Sequence, residues 1–236
     1  MSNGLLAFEL AGGAHALFST RAHGNASSVG GTDAEHGARV REHLRELAHV
    51  DVLARGYQVH GAVVHRVRDR PAPAPGSDPD PRESARPEQH ADGQATALRG
   101  VGAMVLSADC LPVALAGEGA VAMVHAGWRG LAAGVLQAGV RAVRELAQGP
   151  RMHAIIGPGA GACCYEVGEE VHLAFGGAHR HGRSIDLRGI ARELLLAEGV
   201  QEVLDLELCT ICDERFFSHR REGARAGRQA GIAWLG

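Results

Sequence analysis

The chain has 236 residues, a formal net charge of -3, and 45% hydrophobic and 22% charged residues. That balance excludes a disordered or fibrous design, no Lys/Arg run forms the basic stripe that nucleic acid requires, and the apolar stretches are too short and too glycine-punctuated to span a membrane. The five cysteines, two of them adjacent at Cys163 and Cys164, do not spell a secreted disulfide framework, so reduced thiols and a cytoplasmic location are expected.

In chain order, LLAFEL, a Gly12-Gly13 turn and HALFST predict a β-hairpin over residues 5 to 20, followed by a loop through TRAHGNASSVGG. Val40, Leu44, Leu47 and Ala48 fall at helical spacing opposite a charged face. YQVHGAVVHRV reads as a strand carrying His60. From residue 69 to 92 the composition shifts to Pro, Asp, Glu and Arg with almost no large apolar residue, which predicts an exposed loop outside the core. VGAMVLSADC and GAVAMVHAG read as strands, with Pro112 interrupting the ladder after Cys110. A helix is expected just after Trp128-Arg129-Gly130. MHAIIGPGAGACCYEV predicts a strand, a Gly-rich turn and a further helix through EVGEEVHLAF. DLRGIARELLLAEG predicts an amphipathic helix stopped by Gly199, then a strand into LELCTICD, an Arg-rich loop and a last strand. Residues 1 to 236 are thus expected to form one domain.

Three candidates carry chemistry. His60 in QVHG, Cys110 in ADCLPV and His125 in VHAGWRG each end an apolar run. Two imidazoles and a thiolate suit zinc or copper, and three protein ligands leave a fourth position for water or substrate. Cys110 alone also reads as a buried small hydrophobe or as a nucleophile beside His60 or His125. Asp109 either orients a histidine or ends its strand. His125 stands where a strand turns into a helix, where free N–H groups and Arg129 suit an anion. Arg21, Ser27 and Ser28 around Gly24 suit a second anion loop, or a plain turn. Arg220, Arg221, Arg225 and Arg228 reach a site mouth or form a solvated loop. Cys209 and Cys212 form a CxxC, which without a second CxxC, and like Cys163-Cys164, reads as packing cysteines. IGPGAG lacks the Lys-Ser/Thr of a P-loop and the spacing of a dinucleotide fingerprint.

Taken together, STRAHGNAS, QVHG, ADGQAT, ADCLPV, HAGWRG, IGPGAGACCYEVGEEV and CTICDERFFSHRREGARAGRQAGIAWL resemble, in order, the YfiH or laccase-domain family. The resemblance implies an α+β fold, a layered α/β/β/α arrangement of mixed sheets flanked by helices. It implies a metal site of His60, Cys110 and His125, holding zinc or alternatively copper. It further implies phosphorolysis of purine nucleosides (adenosine, inosine, guanosine, methylthioadenosine) to base and ribose 1-phosphate, together with adenosine deamination. Nucleosides and phosphate are then the partners, with neither nucleic acid nor membrane.

Within that resemblance His60, Cys110 and His125 are the catalytic set, Arg21, Arg129 and Tyr165 orient substrate or phosphate, and Asp109, Glu166 and Tyr165 are acid–base candidates. The chain departs from the family's pattern at His23 and Asn25-Ala26 in the first loop, at Gly159, where cysteine is frequent, and at His219, where tyrosine is common. Two rival activities are copper-dependent phenol oxidation and amide hydrolysis of peptidoglycan precursors. The first is disfavoured because no HxH pair suits a trinuclear copper cluster, although HRH at 179 to 181 superficially spells one. A non-catalytic module with structural zinc is disfavoured by the open fourth position.

Overall fold

The computed structural model describes residues 4–28, 30, 34–71 and 90–236. Residues 72–89, most of the segment expected as an exposed loop, lie outside them.

The N-terminal hairpin forms as expected, β1 (Leu6–Leu10) against β2 (Ala14–Phe18). Helix α1 (Ala34–Leu47) buries Val40 and Leu44. The following strands are β3 (Val52–Ala54), β4 (Val64–Val67), β5 (Gly93–Thr96), β6 (Val101–Ser107), β7 (Leu111–Gly117) and β8 (Ala120–Ala126). The helix expected after Trp128 is split in two, α2 (Trp128–Ala132) and α3 (Val135–Leu146), because Gly134 between them takes a left-handed φ of 88°. Strand β9 (Met152–Ile156) leads to α4 (Glu169–Ala174), a two-residue hairpin of β10 (Arg180–His181) and β11 (Ser184–Ile185), and α5 (Leu187–Ala197). Asp186 caps α5 by accepting the N–H groups of Arg188 and Gly189. Strand β12 (Glu202–Asp205), the short α6 (His219–Glu222) and β13 (Gln229–Leu235) complete the chain.

Two mixed sheets result, β1-β2-β13-β6-β3 and β12-β9-β7-β8-β5-β4, besides the small hairpin. Strand alternation explains their stacking. On β7 and β8, Ala114, Ala116, Val121 and Met123 face Ala16, Phe18, Val105 and Ala233 of the other sheet. Their neighbours Val113, Leu115, Ala122 and Val124 pack outward against α3 and α5. The outer face of the first sheet, with Leu17, Met104 and Ile232, meets Val40 and Leu44 of α1. The order is therefore helix, sheet, sheet, helix. Strands buried on both faces read as continuous apolar runs, as VGAMVLS and AVAMVHA do.

Three expectations fail locally. QVHG is a loop, and the strand begins only at Val64. Pro112 does not interrupt the ladder: it is the second residue of β7, paired with His125 across to β8, and its carbonyl accepts Gly157 N at 2.8 Å. A proline near a strand's first residue loses little, because few ladder donors are required there. Asp92, the last residue of the segment read as exposed, is fully buried.

Candidate metal centre

Cys110 lies where the chain crosses from β6 in one sheet to β7 in the other, a turn made by Asp109 at a φ of 86°. His125 is the penultimate residue of β8, directly across the ladder from Pro112. His60 arrives from the loop preceding β4. The ligand atoms of the three residues lie within 4.8 Å of one another, and the two imidazole rings meet edge to face with centroids 4.9 Å apart.

Asp92 organises this meeting, and its residue type and local context assign it no role. Its carboxylate accepts three consecutive backbone N–H groups, Val59 at 3.1 Å, His60 at 2.9 Å and Gly61 at 2.7 Å. Wrapping three N–H groups around one carboxylate puts His60 at a φ of 60°, a conformation that costs a non-glycine residue roughly 1–2 kcal/mol. The same carboxylate lies 2.8 Å from His125 Nδ1, and the Asp92 carbonyl accepts His125 N at 2.6 Å. A carboxylate on Nδ1 fixes the ring and leaves Nε2 as the ligand atom, the usual support of a metal-bound histidine. Burial alone would push the Asp92 carboxyl up, but the hydrogen bond and charge of His125, with the N–H groups of Gly61 and Val59, hold it below the ordinary carboxylate value.

Electrostatics prepare the sulfur. Burial disfavours a Cys110 thiolate, yet the charge of His125 and the hydrogen bonds of His125 and His60 outweigh it and bring the thiol down to about 6. His125 responds in the opposite sense: burial lowers it, and the Cys110 thiolate and Asp92 raise it to about 9. Gly127 closes the site. A Cβ there would stand 2.9 Å from Cys110 Sγ and 3.1 Å from His60 Cδ2, so only glycine leaves the donors room. One thiolate, two imidazoles, a carboxylate behind one of them and a side-chain-free wall together fit a zinc or copper ion.

The other predicted residues fall at varying distance from this centre. Tyr165 is buried beside it. Burial pushes its phenol up, the Cys110 thiolate adds to the rise, and Arg220, whose guanidinium lies 4.6 Å from the ring centroid, partly offsets it. Arg228, half-buried, is near enough to feel the charges of Cys110 and Asp109, while its guanidinium donates to the Ala226 and Gly227 carbonyls. Arg129 is exposed, its guanidinium 4.3 Å from the Trp128 ring centroid.

Arg21 has partners of its own. It pairs with Glu222, donates to the carbonyls of Glu214 and Phe216, and lies over Phe217. Glu222 is shared with Arg221, so one carboxylate serves two guanidinium groups and Arg21 remains a candidate for an anion. Asp109 does not orient a histidine: its carboxylate accepts Thr210 Oγ1 and Arg220 N, both at 2.7 Å. Glu166 is exposed and pairs with Arg183 at 3.0 Å.

Two further residues outside the expected set hold the surroundings. Arg188, buried on α5, reaches Asp205 at 2.7 Å and the carbonyls of Gly159 and Leu208, tying together the loops that leave β9 and β12. Asn25 accepts Ser27 N and Arg228 N, joining the first loop to the Arg-rich loop. Gly159 has no room for a side chain, since a Cβ would fall 2.5 Å from Leu111.

The fold and the site together define a four-layer α/β/β/α protein with a His₂Cys donor cluster, able to hold a metal ion, where the chain crosses from one sheet to the other. The family described as multi-copper polyphenol oxidoreductase laccase matches residues 12–236, and the chain belongs to this laccase-domain, or YfiH, family. It is 42% identical over 196 residues to the purine nucleoside phosphorylase of Xylella fastidiosa strain Temecula1, covering 76% of this chain and 70% of that one. It is 39% identical over 160 residues to a purine nucleoside phosphorylase of Pseudomonas aeruginosa, covering 61% of this chain and 65% of the relative. Among solved structures, Neisseria meningitidis protein NMB0706 superposes with a TM-score of 0.80 at 31% identity, covering 98% of this chain and 99% of that one.

Proposed function

We propose that the chain is a zinc-dependent purine nucleoside phosphorylase of the cytoplasm, converting nucleoside and phosphate to base and ribose 1-phosphate and also deaminating adenosine. The observation that carries this reading is the convergence of His60, Cys110 and His125 on one point with Asp92 behind them, in a family whose matched relatives are named for that reaction.

His60, Cys110 and His125 would hold the ion, which when bound supplies Lewis acidity toward water or a substrate oxygen. The remaining work falls to side chains. In phosphorolysis an oxygen of phosphate bonds to C1′ as the C1′–N9 bond breaks, and the departing purine takes up a proton. Arg129 and Arg228 are the cations that would orient the phosphate, with Arg21, which shares Glu222 with Arg221, as a further candidate. Tyr165, kept protonated by burial and by the neighbouring thiolate, is the residue to bind the base and protonate it, since Asp109 and Glu166 are engaged elsewhere.

The test is chromatography of inosine reactions with and without phosphate. Phosphate-dependent hypoxanthine and ribose 1-phosphate, abolished by Cys110→Ala and reduced at least tenfold by Tyr165→Phe, is the expected result. Product that survives Cys110→Ala would sink the assignment.

A second reading, copper-dependent phenol oxidation, is favoured by the description of the matching family and by the His₂Cys donors. Against it, the second metal-type cluster among the described residues is all cysteine, with no histidine pair for further copper. Copper content and oxygen uptake with a phenol separate the two.

A further inference from the structure

Four cysteines remain after Cys110 is assigned, and all are free thiols. Taken in sequence they read as packing residues; the fold gathers them into one cluster. Parallel strands β9 and β12 end side by side, and a bridge between Gly159 and Cys209 keeps their outgoing loops in contact, with Thr210 N donating to the Gly159 carbonyl at 3.0 Å. One loop delivers Cys163 and Cys164, the other Cys209 and Cys212.

The four sulfurs lie within 4.8 Å of one another. The separations are 3.2 Å for Cys163–Cys164, 3.4 Å for Cys163–Cys212, 3.6 Å for Cys164–Cys209 and 2.8 Å for Cys164–Cys212. Zinc–thiolate bonds of about 2.3 Å in a tetrahedron place ligand sulfurs about 3.8 Å apart. The cluster therefore needs to open by about 1 Å at its tightest pair to receive an ion. The surrounding backbone suits thiolates. N–H groups of Gly161, Ile211 and Cys212 are directed at the Cys209 sulfur, as in a metal-binding CxxC turn. Gly161 passes so close that a Cβ would lie 3.2 Å from Cys209 Cβ and 3.3 Å from Cys163 Sγ. Arg221 donates to the carbonyls of Thr210 and Ile211 at 2.8 and 2.9 Å, placing a cation beside a group that four thiolates and a divalent ion would leave with net negative charge.

We propose that Cys163, Cys164, Cys209 and Cys212 form a second, structural zinc site that staples the turn carrying Tyr165 to the loop carrying Thr210. Four soft protein ligands close the coordination sphere and leave no position for substrate, which makes the site structural rather than catalytic. Its influence on the triplet is positional. Tyr165 follows Cys164 directly, and Thr210, between the two ligands of the CxxC, holds the carboxylate of Asp109 next to Cys110. Nothing in this proposal depends on the reaction at the triplet.

The experiment is metal analysis of the full chain purified under reducing conditions, with Cys110→Ser and Cys212→Ser compared to wild type. Expected are two zinc ions per chain in wild type and one in each variant. Cobalt loaded into Cys110→Ser, which keeps all four thiols, should give the intense visible bands and sulfur-to-cobalt charge transfer of a tetrahedral tetrathiolate. That arm stands even if Cys212→Ser fails to fold. The proposal is overturned if Cys110→Ser binds neither zinc nor cobalt, if its four thiols react freely with a thiol reagent in the native protein, if they form disulfides, or if iron or copper occupies the cluster instead. Because the readout is metal content and spectrum, loss of phosphorolysis cannot be mistaken for failure of the cysteine site.

Discussion

The two sulfur-containing clusters of this protein reach similar compactness by opposite means. The triplet draws its donors from a loop, a sheet-to-sheet crossover and a strand end, and depends on a buried carboxylate to bring them together. The four-cysteine cluster draws its donors as two pairs from two adjacent loops, with no carboxylate in the set. Their protonation differs accordingly. Beside imidazoles, Cys110 ionises near 6 despite its burial. In the cluster, burial pushes Cys163 and Cys164 up, with the sulfurs of Cys212 and Cys209 adding to the rise, while Cys209 falls to about 7, where burial is outweighed by backbone N–H groups and the Cys163 sulfur. A thiol with imidazole partners is prepared before any metal arrives, whereas the raised thiols Cys163 and Cys164 are ionised by the metal itself. The first arrangement suits an open, reactive centre and the second a closed staple.

The sharpest way to break the contrast is Asp92→Asn. The amide replaces one carboxylate oxygen with a donor, so two of the three N–H groups from residues 59–61, or one of them and the His125 contact, lose their acceptor. We expect unfolding stability to fall by about 3 kcal/mol and triplet zinc affinity by about 10- to 100-fold, with the cysteine cluster still loaded. Chelator competition and denaturant unfolding measure both, and unchanged triplet affinity would mean that the three donors converge without help from the Asp92 carboxylate.

Gly127→Ala follows. Its φ of -77° admits alanine, so the cost is the methyl against Cys110 and His60, about 1 kcal/mol in stability and roughly tenfold in triplet affinity. Smaller again is Thr210→Val, which removes the hydroxyl donated to buried Asp109 and should cost about 1 kcal/mol while Thr210→Ser restores it. If the valine variant alters zinc release from neither cluster, the two regions are not linked through this bond.

How much of this was legible in the sequence differs by layer. The doubly buried strands and the amphipathic helices α1 and α5 were legible because their apolar patterns report burial directly. The His60–Cys110–His125 set was readable from residue type, and its order along the chain matched a family. Asp92 was not, because it ends a Pro- and charge-rich segment whose composition argues for solvent; only its place in ADGQAT, just before the small residues of β5, hinted otherwise. The cysteine cluster was hidden because its pairs lie far apart in sequence and meet only through the parallel pairing of β9 with β12. Local context also misled at Pro112, where β7 tolerates it near the strand's start, and it gave no sign of Arg21's partner Glu222, which comes from the far end of the chain.

The least disruptive test of the contrast counts protons. In the metal-free triplet the Cys110 thiol sits at about 6 and His125 at about 9, so between these values the pair is thiolate and imidazolium. Metal loading needs the thiolate and a neutral imidazole, so near pH 8 the pair must release one proton, and that proton leaves His125. Below about 6 the thiol must also deprotonate and the pair releases two; above about 9 it releases none. Triplet affinity should therefore rise about tenfold per pH unit from 6 to 9 and flatten beyond. Calorimetric titration in buffers of different ionisation enthalpy, taken as the difference between wild type and Cys110→Ser, isolates this count from the cysteine cluster. There, the high-lying thiols Cys163 and Cys164 must shed protons on loading at pH 8, so the Cys110→Ser protein should release more than one. Because one shared proton gives the same count on sulfur or on imidazole, its place is read from the ultraviolet thiolate absorbance of the metal-free protein near pH 8, and no excess of wild type over Cys110→Ser would mean that the imidazoles do not prepare the triplet's sulfur.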